Sequence, residues 1–146
     1  MRDFNHTINV LVRAYLNDTL HHGICSACAV GNIVHAAGAP MLQSMLITDG
    51  SNACWKWVFY TDDGFQNFVS PTAEPEKYRI GLRVIEATGY SVSELARVEF
   101  AFESAVGESK DDMMFSGLMA VVDVLADIHG IDLVVREETK KLFVKV

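Results

Sequence analysis

Apolar residues recur at three- and four-residue spacing near the start of the chain. Ile8, Leu11, Val12, Tyr15, Leu16 and Leu20 fall on one stripe, which is the period of a helix. Asp3 stands before that stripe as its N-cap. His21, His22 and Gly23 read as its end, since glycine adopts the left-handed cap conformation and histidine favours the negative end of the dipole. A second, short helix is expected over 26–37. It is apolar on nearly every side and rich in small residues (Ala27, Cys28, Ala29, Gly31 and Ala36), which predicts close burial against the first. Gly38 to Pro40 stops it.

The period changes in the middle. "MLQSMLIT", "DGSN" and "ACWKWVFYT" read as two strands around an Asp-Gly turn, with Trp55, Trp57 and Phe59 alternating onto one face. Helical spacing returns at Pro75, which suits the first turn of a helix running to Thr88 with Tyr78, Leu82 and Ile85 inward. Gly89 closes it. Ser91 and Glu94 then match the capping-box pattern, ahead of Leu95, Val98 and Phe102. Ser109 and Asp112 can cap the next helix, whose stripe runs Met114, Gly117, Leu118, Val121, Leu125, Ile128 and ends at His129–Gly130. The tail, "IDLVVREETKKLFVKV", reads as a β-hairpin with a charged turn. The pattern therefore predicts a helix-rich α+β fold of about five helices and two small β-strand pairs, with residues 1–146 forming a single compact domain.

Composition narrows the class. Half the 146 residues are apolar and 21% are charged, which suits a packed core and argues against disorder. No apolar run approaches the ~20 residues of a membrane span. "MRDFNHTINV" lacks the apolar stretch of a signal peptide, so a cytoplasmic location is expected. Twelve Lys and Arg stand against 19 Asp and Glu, a net charge of -7 that repels phosphate backbones and disfavours nucleic acid as a partner. Three cysteines, an odd number, point to reduced thiols, metal binding or redox chemistry before a disulfide framework.

Candidate chemistry concentrates in "LHHGICSACAVGN". His21, His22, Cys25 and Cys28 make a His-His-x-x-Cys-x-x-Cys array, in which two thiolates could grip one tetrahedral zinc and a histidine could add a third ligand. No second knuckle follows, so a fourth ligand would have to come from Cys54 or His35. The same cysteines at a helix start could act as a redox pair, because the dipole lowers a thiol pKa there. A thioredoxin-like motif follows a strand, however, and here a helix precedes it. The favoured reading is structural: Cys25 and Cys28 as small buried side chains in a helix corner, with no cofactor and zinc as the alternative.

Other features carry less. Residues 80–102 look like a helix-turn-helix, but its second helix holds Glu94, Glu99 and Glu103 against Arg97, so an ordinary helical hairpin is favoured. Asp123 and Asp127 lie four apart, away from the apolar stripe, and read as a solvated face. Trp55, Trp57 and Phe59 are core if covered and an interaction patch if exposed.

The runs "CSACAVGNIV", "TGYSVSELARVEFAFE" and "GLMAVVDVLADIHGI" resemble small uncharacterised proteins associated with phages and mobile elements of gut Bacteroidetes, over most of the chain. The resemblance implies a bacterial or phage-encoded cytoplasmic accessory protein and assigns no activity, cofactor or catalytic residue. The expectation is a non-catalytic accessory or protein-interaction domain that binds a protein partner or self-associates. The alternatives are a zinc or thiol-redox protein using Cys25 and Cys28, and a DNA binder using 80–102.

Overall fold

The computed structural model describes residues 2–21, 27–38 and 75–144. Among them the chain forms α1 (Phe4–Leu16), α2 (Ala29–Ala36), α3 (Pro75–Thr88), α4 (Val92–Glu103), α5 (Lys110–His129) and α6 (Leu133–Lys140), and no strand. The expected α+β class is thus corrected to an all-helical one over the described residues. The predicted C-terminal hairpin is a helix. The other predicted strand pair, with Cys54, Trp55, Trp57 and Phe59, lies outside the described residues.

Caps set most of the boundaries. Asp3 accepts a hydrogen bond from the His6 amide, Ser109 from Asp112 and Asp132 from Val135. The capping box of α4 is complete, with Glu94 N–H donating to Ser91 Oγ (3.1 Å) and Ser91 N–H to Glu94 Oε1 (2.9 Å). Helix α1 ends earlier than the histidine–glycine signal suggested. Asp18 takes the left-handed conformation (φ 56°), and the Thr19 amide reaches back to the Ala14 carbonyl. Asp tolerates that conformation better than most residues, so Asn17–Asp18 supplies the cap assigned to Gly23.

Packing follows the apolar stripes. Helix α4 lies across α5 in the most extensive helix contact, and α2 bridges α1 to α4 and α3. Leu95, Val98 and Phe102 from α4 meet a core shared with Leu118, Val121 and Leu125 from α5 and Ile8 and Leu11 from α1, all buried. Two stripes depart from expectation: in α3 Val84 is buried, whereas Leu82 is exposed and Ile85 half-buried, and at the end of α1 Leu16 is exposed. Helix α5 closes at Gly130 (φ 68°), and α6 returns along α5 with Phe143 buried beyond its end, tilted against Tyr15.

Two glycines with positive φ separate two kinds of constraint. A Cβ at Gly130 would meet nothing, whereas one at Gly89 (φ 78°) would lie 2.8 Å from the Arg2 backbone nitrogen. Gly130→Ala is expected to cost about 1–2 kcal/mol from conformation alone. Gly89→Ala should cost at least about 1 kcal/mol more, because the N-terminal strap must also move. Urea unfolding of both variants checks the order, and equal losses would contradict the Arg2 contact.

Candidate interaction surface

Of the histidine–cysteine corner, the structure describes His21 and Cys28. Cys28 is the N-cap of α2, buried, with its sulfur accepting from the Gly31 amide at 3.3 Å. Burial pushes its thiol pKa up, helped by the charges of Glu99 and Glu103 and opposed only in part by the Gly31 hydrogen bond. The helix-dipole effect expected to favour a thiolate is therefore outweighed at this cysteine. His21 is exposed, and its amide donates to the Ala27 carbonyl. Asn32, which the sequence reading passed over, fastens the corner: its side-chain amide donates to the carbonyls of Ala27 and Cys28 at 3.0 Å and of Thr19 at 3.3 Å. His22 and Cys25 lie outside the described residues. Among the described residues no three His, Cys, Asp or Glu side chains come together as a metal site, so Cys28 and His21 are not joined into one there.

A second polar cluster joins the N-terminus, the α3–α4 turn and the end of α5. Tyr90, fully buried, places its hydroxyl 2.7 Å from both Thr7 Oγ1 and His129 Nε2. Arg2 stacks over the Tyr90 ring at 5.6 Å and grips both carboxylate oxygens of Glu94. Burial, then the Arg2 charge, lowers the His129 pKa and favours its neutral imidazole, which shares one hydrogen bond with the Tyr90 hydroxyl while Thr7 shares the other. A recess of about 30 Å³ beside this cluster, lined by His6, Thr7, Ile33, Thr88 and Tyr90, is large enough to hold water. The cluster is a clamp between the N-terminus, the α3–α4 turn and the end of α5.

Helix α6 is turned against the usual rule. Its inward groups are Thr139, whose hydroxyl donates to the Val135 carbonyl, and Arg136 and Lys140, which meet the carboxylates of α5. Arg136 donates to Asp127 at 2.9 Å and to the Ile131 carbonyl at 3.2 Å, and its other nitrogen lies 3.6 Å from Asp123. Lys140 sits 3.0 Å from Asp123. Burial works against the Lys140 charge, but Asp123 and Glu137 outweigh it and hold its pKa above the ordinary value. Asp123 and Asp127, expected on a solvated face, thus form one side of a matched i,i+4 ladder.

The consequence is an apolar surface. Leu133, Val134 and Val135 are 71%, 74% and 45% exposed, and Leu142 and Val144 are 51% and 59% exposed. Five large aliphatic side chains within one short segment face solvent, while Arg136 and Lys140 face inward. Glu138 and Lys141 lie between the two apolar ends and pair with each other at 3.0 Å. Helix α4, by contrast, buries Leu95, Ala96, Val98, Glu99 and Phe102 and exposes Phe100. No helix among the described residues is long and apolar enough to cross a membrane. Comparison of the chain with protein-family models, curated proteins and solved structures finds no match.

Two predictions follow from these clusters. Because His129 titrates lower when folded, the unfolded chain takes up its proton first. Its stabilising share is complete above about pH 6.5 and is lost as the pH falls below that value. Urea midpoints measured between pH 7.5 and 5 (about the range of imidazole titration) should decline in the parent chain and flatten in His129→Gln. A parent chain with no decline would contradict the neutral clamp. Replacing Asp123 and Asp127 together with Asn should cost only about 1 kcal/mol, because both carboxylates are roughly half exposed. Faster amide exchange confined to α6 is the expected signature, and an unchanged α6 would remove the ladder as its anchor.

Proposed function

We propose that this protein is a non-catalytic cytoplasmic accessory protein whose working part is the outward face of α6 and the residues after it. The observation that carries the proposal is the inverted helix. Leu133, Val134, Leu142 and Val144 stay in water while Arg136 and Lys140 are spent on α5. Keeping aliphatic groups exposed costs roughly 1.5–3 kcal/mol for each side chain that burial would otherwise stabilise. A patch retained at that cost is characteristic of contact surfaces on soluble proteins. The occupant it suits is an apolar protein surface flanked by both signs of charge, and the net charge of -7 turns away nucleic acid. The buried, high-pKa Cys28 supports a structural part for its corner over thiol chemistry.

The test replaces Leu133, Val134 and Val135 together with Ser. Exposed positions tolerate such changes within about 0.5 kcal/mol each, so thermal unfolding of the purified variant should stay near that of the parent. In extracts of the source cell, the parent chain should elute from a sizing column above its monomer mass, and the Ser variant at the monomer mass. A variant that unfolds would mean these side chains belong to the core. A parent that elutes as a monomer both in extracts and when loaded pure at millimolar concentration would remove the surface as a binding site.

A further inference from the structure

The exposed face of α6 has a charge order that complements itself. From its first turn the sequence runs Leu133, Val134, then Glu137, Glu138, then Lys140, Lys141, then Leu142 and Val144. Lys140 is committed inward to Asp123, while Glu138 and Lys141 are both exposed on the outer side. Residues three apart on a helix share a face, so the outer side carries apolar, negative, positive, apolar in that order. We infer that the occupant of this surface is a second copy of the same chain, packed with α6 antiparallel to α6 about a twofold axis. This rests on the reading of α6 as the contact surface and adds the identity and direction of the partner.

The antiparallel direction follows from the charges. About a twofold axis passing between Glu138 and Lys141, each Glu138 lies opposite the partner copy's lysine and each lysine opposite its glutamate. The two existing 3.0 Å pairs then extend into a ring of four alternating charges. The apolar first turn of each copy, with Leu133 and Val134, then points toward the end of the other copy's helix, beyond which Val144 is exposed. A parallel arrangement would oppose Glu138 to Glu138 and Lys141 to Lys141, and like charges across an interface are rejected. Such a contact uses one patch twice, as closed twofold interfaces do. It is also small and works against the repulsion of two chains of charge -7, so the dimer should be weak and concentration-dependent.

Sedimentation velocity of the purified full chain, from micromolar to millimolar concentration, tests this directly. The parent should shift from monomer to dimer across that range. Val134→Asp should remain monomeric, and Glu138→Lys should weaken dimerisation by roughly tenfold or more. Combining Glu138→Lys with Lys141→Glu in one chain restores every antiparallel contact with the charges exchanged, so it should recover the parent dimer. All these positions are exposed, and unchanged thermal unfolding of each variant verifies folding. A parent that stays monomeric throughout overturns self-pairing. If the same chain still elutes above monomer mass in extracts, through Leu133 to Val135, the contact surface stands with a different occupant. A dimer indifferent to Val134→Asp and Glu138→Lys places the contact elsewhere and overturns the inference as well.

Discussion

The match between two carboxylates on α5 and two cations on α6, each pair four residues apart, decides how the C-terminal helix sits. Asp123 and Asp127 present charge at one helical pitch, and Arg136 and Lys140 answer at the same pitch. Once those groups are engaged, with Thr139 and Phe143 as the buried contacts, the rotation of α6 is settled. Its aliphatic residues then have nowhere to point except outward. Each ion pair is individually modest because the carboxylates are partly exposed. Their influence lies in selecting one orientation, which a smooth apolar contact between two helices would leave less defined.

The remainder of the described fold is held by more ordinary means. Helices α1, α2, α4 and α5 close on a core from which water is excluded, and the Tyr90 clamp ties the N-terminus to the far end of α5. The Arg2–Glu94 pair carries a further economy. The same carboxylate that completes the α4 capping box also receives the guanidinium lying over Tyr90. Burial acts to raise the Glu94 pKa, but the Ser91 amide and Arg2 outweigh it and keep the carboxylate ionised. The arrangement couples helix initiation to tertiary closure, so loosening either end weakens both.

Much of this was legible in the sequence where local chemistry and tertiary packing agree. The α4 capping box, the Ser109 cap, the left-handed Gly89 and Gly130, and the core stripe of α5 all follow from residue type and spacing. The tail was misread because "LVV" and "LFV" are β-branched and apolar, and that signal depends on what covers the strand. What settles it as a helix is the Asp132 cap together with the charge match to α5, a pairing across separate elements that no local period reports. The same blindness hid the candidate surface: "LVVREETKKL" looks like a strand and turn until Arg136 and Lys140 are seen to be occupied. Asn32 escaped notice for a similar reason, since its three carbonyl partners come together only when the chain turns between α1 and α2.

Hydroxyl-radical footprinting at concentrations low enough to keep the chain monomeric measures the orientation of α6 most directly. With Arg136 and Lys140 inward, Leu133 and Val134 should oxidise readily, while Phe143, intrinsically more reactive but buried, should be protected until the chain unfolds. Protected Leu133 and Val134 beside an oxidised Phe143 would contradict the inverted helix and the function proposed for it.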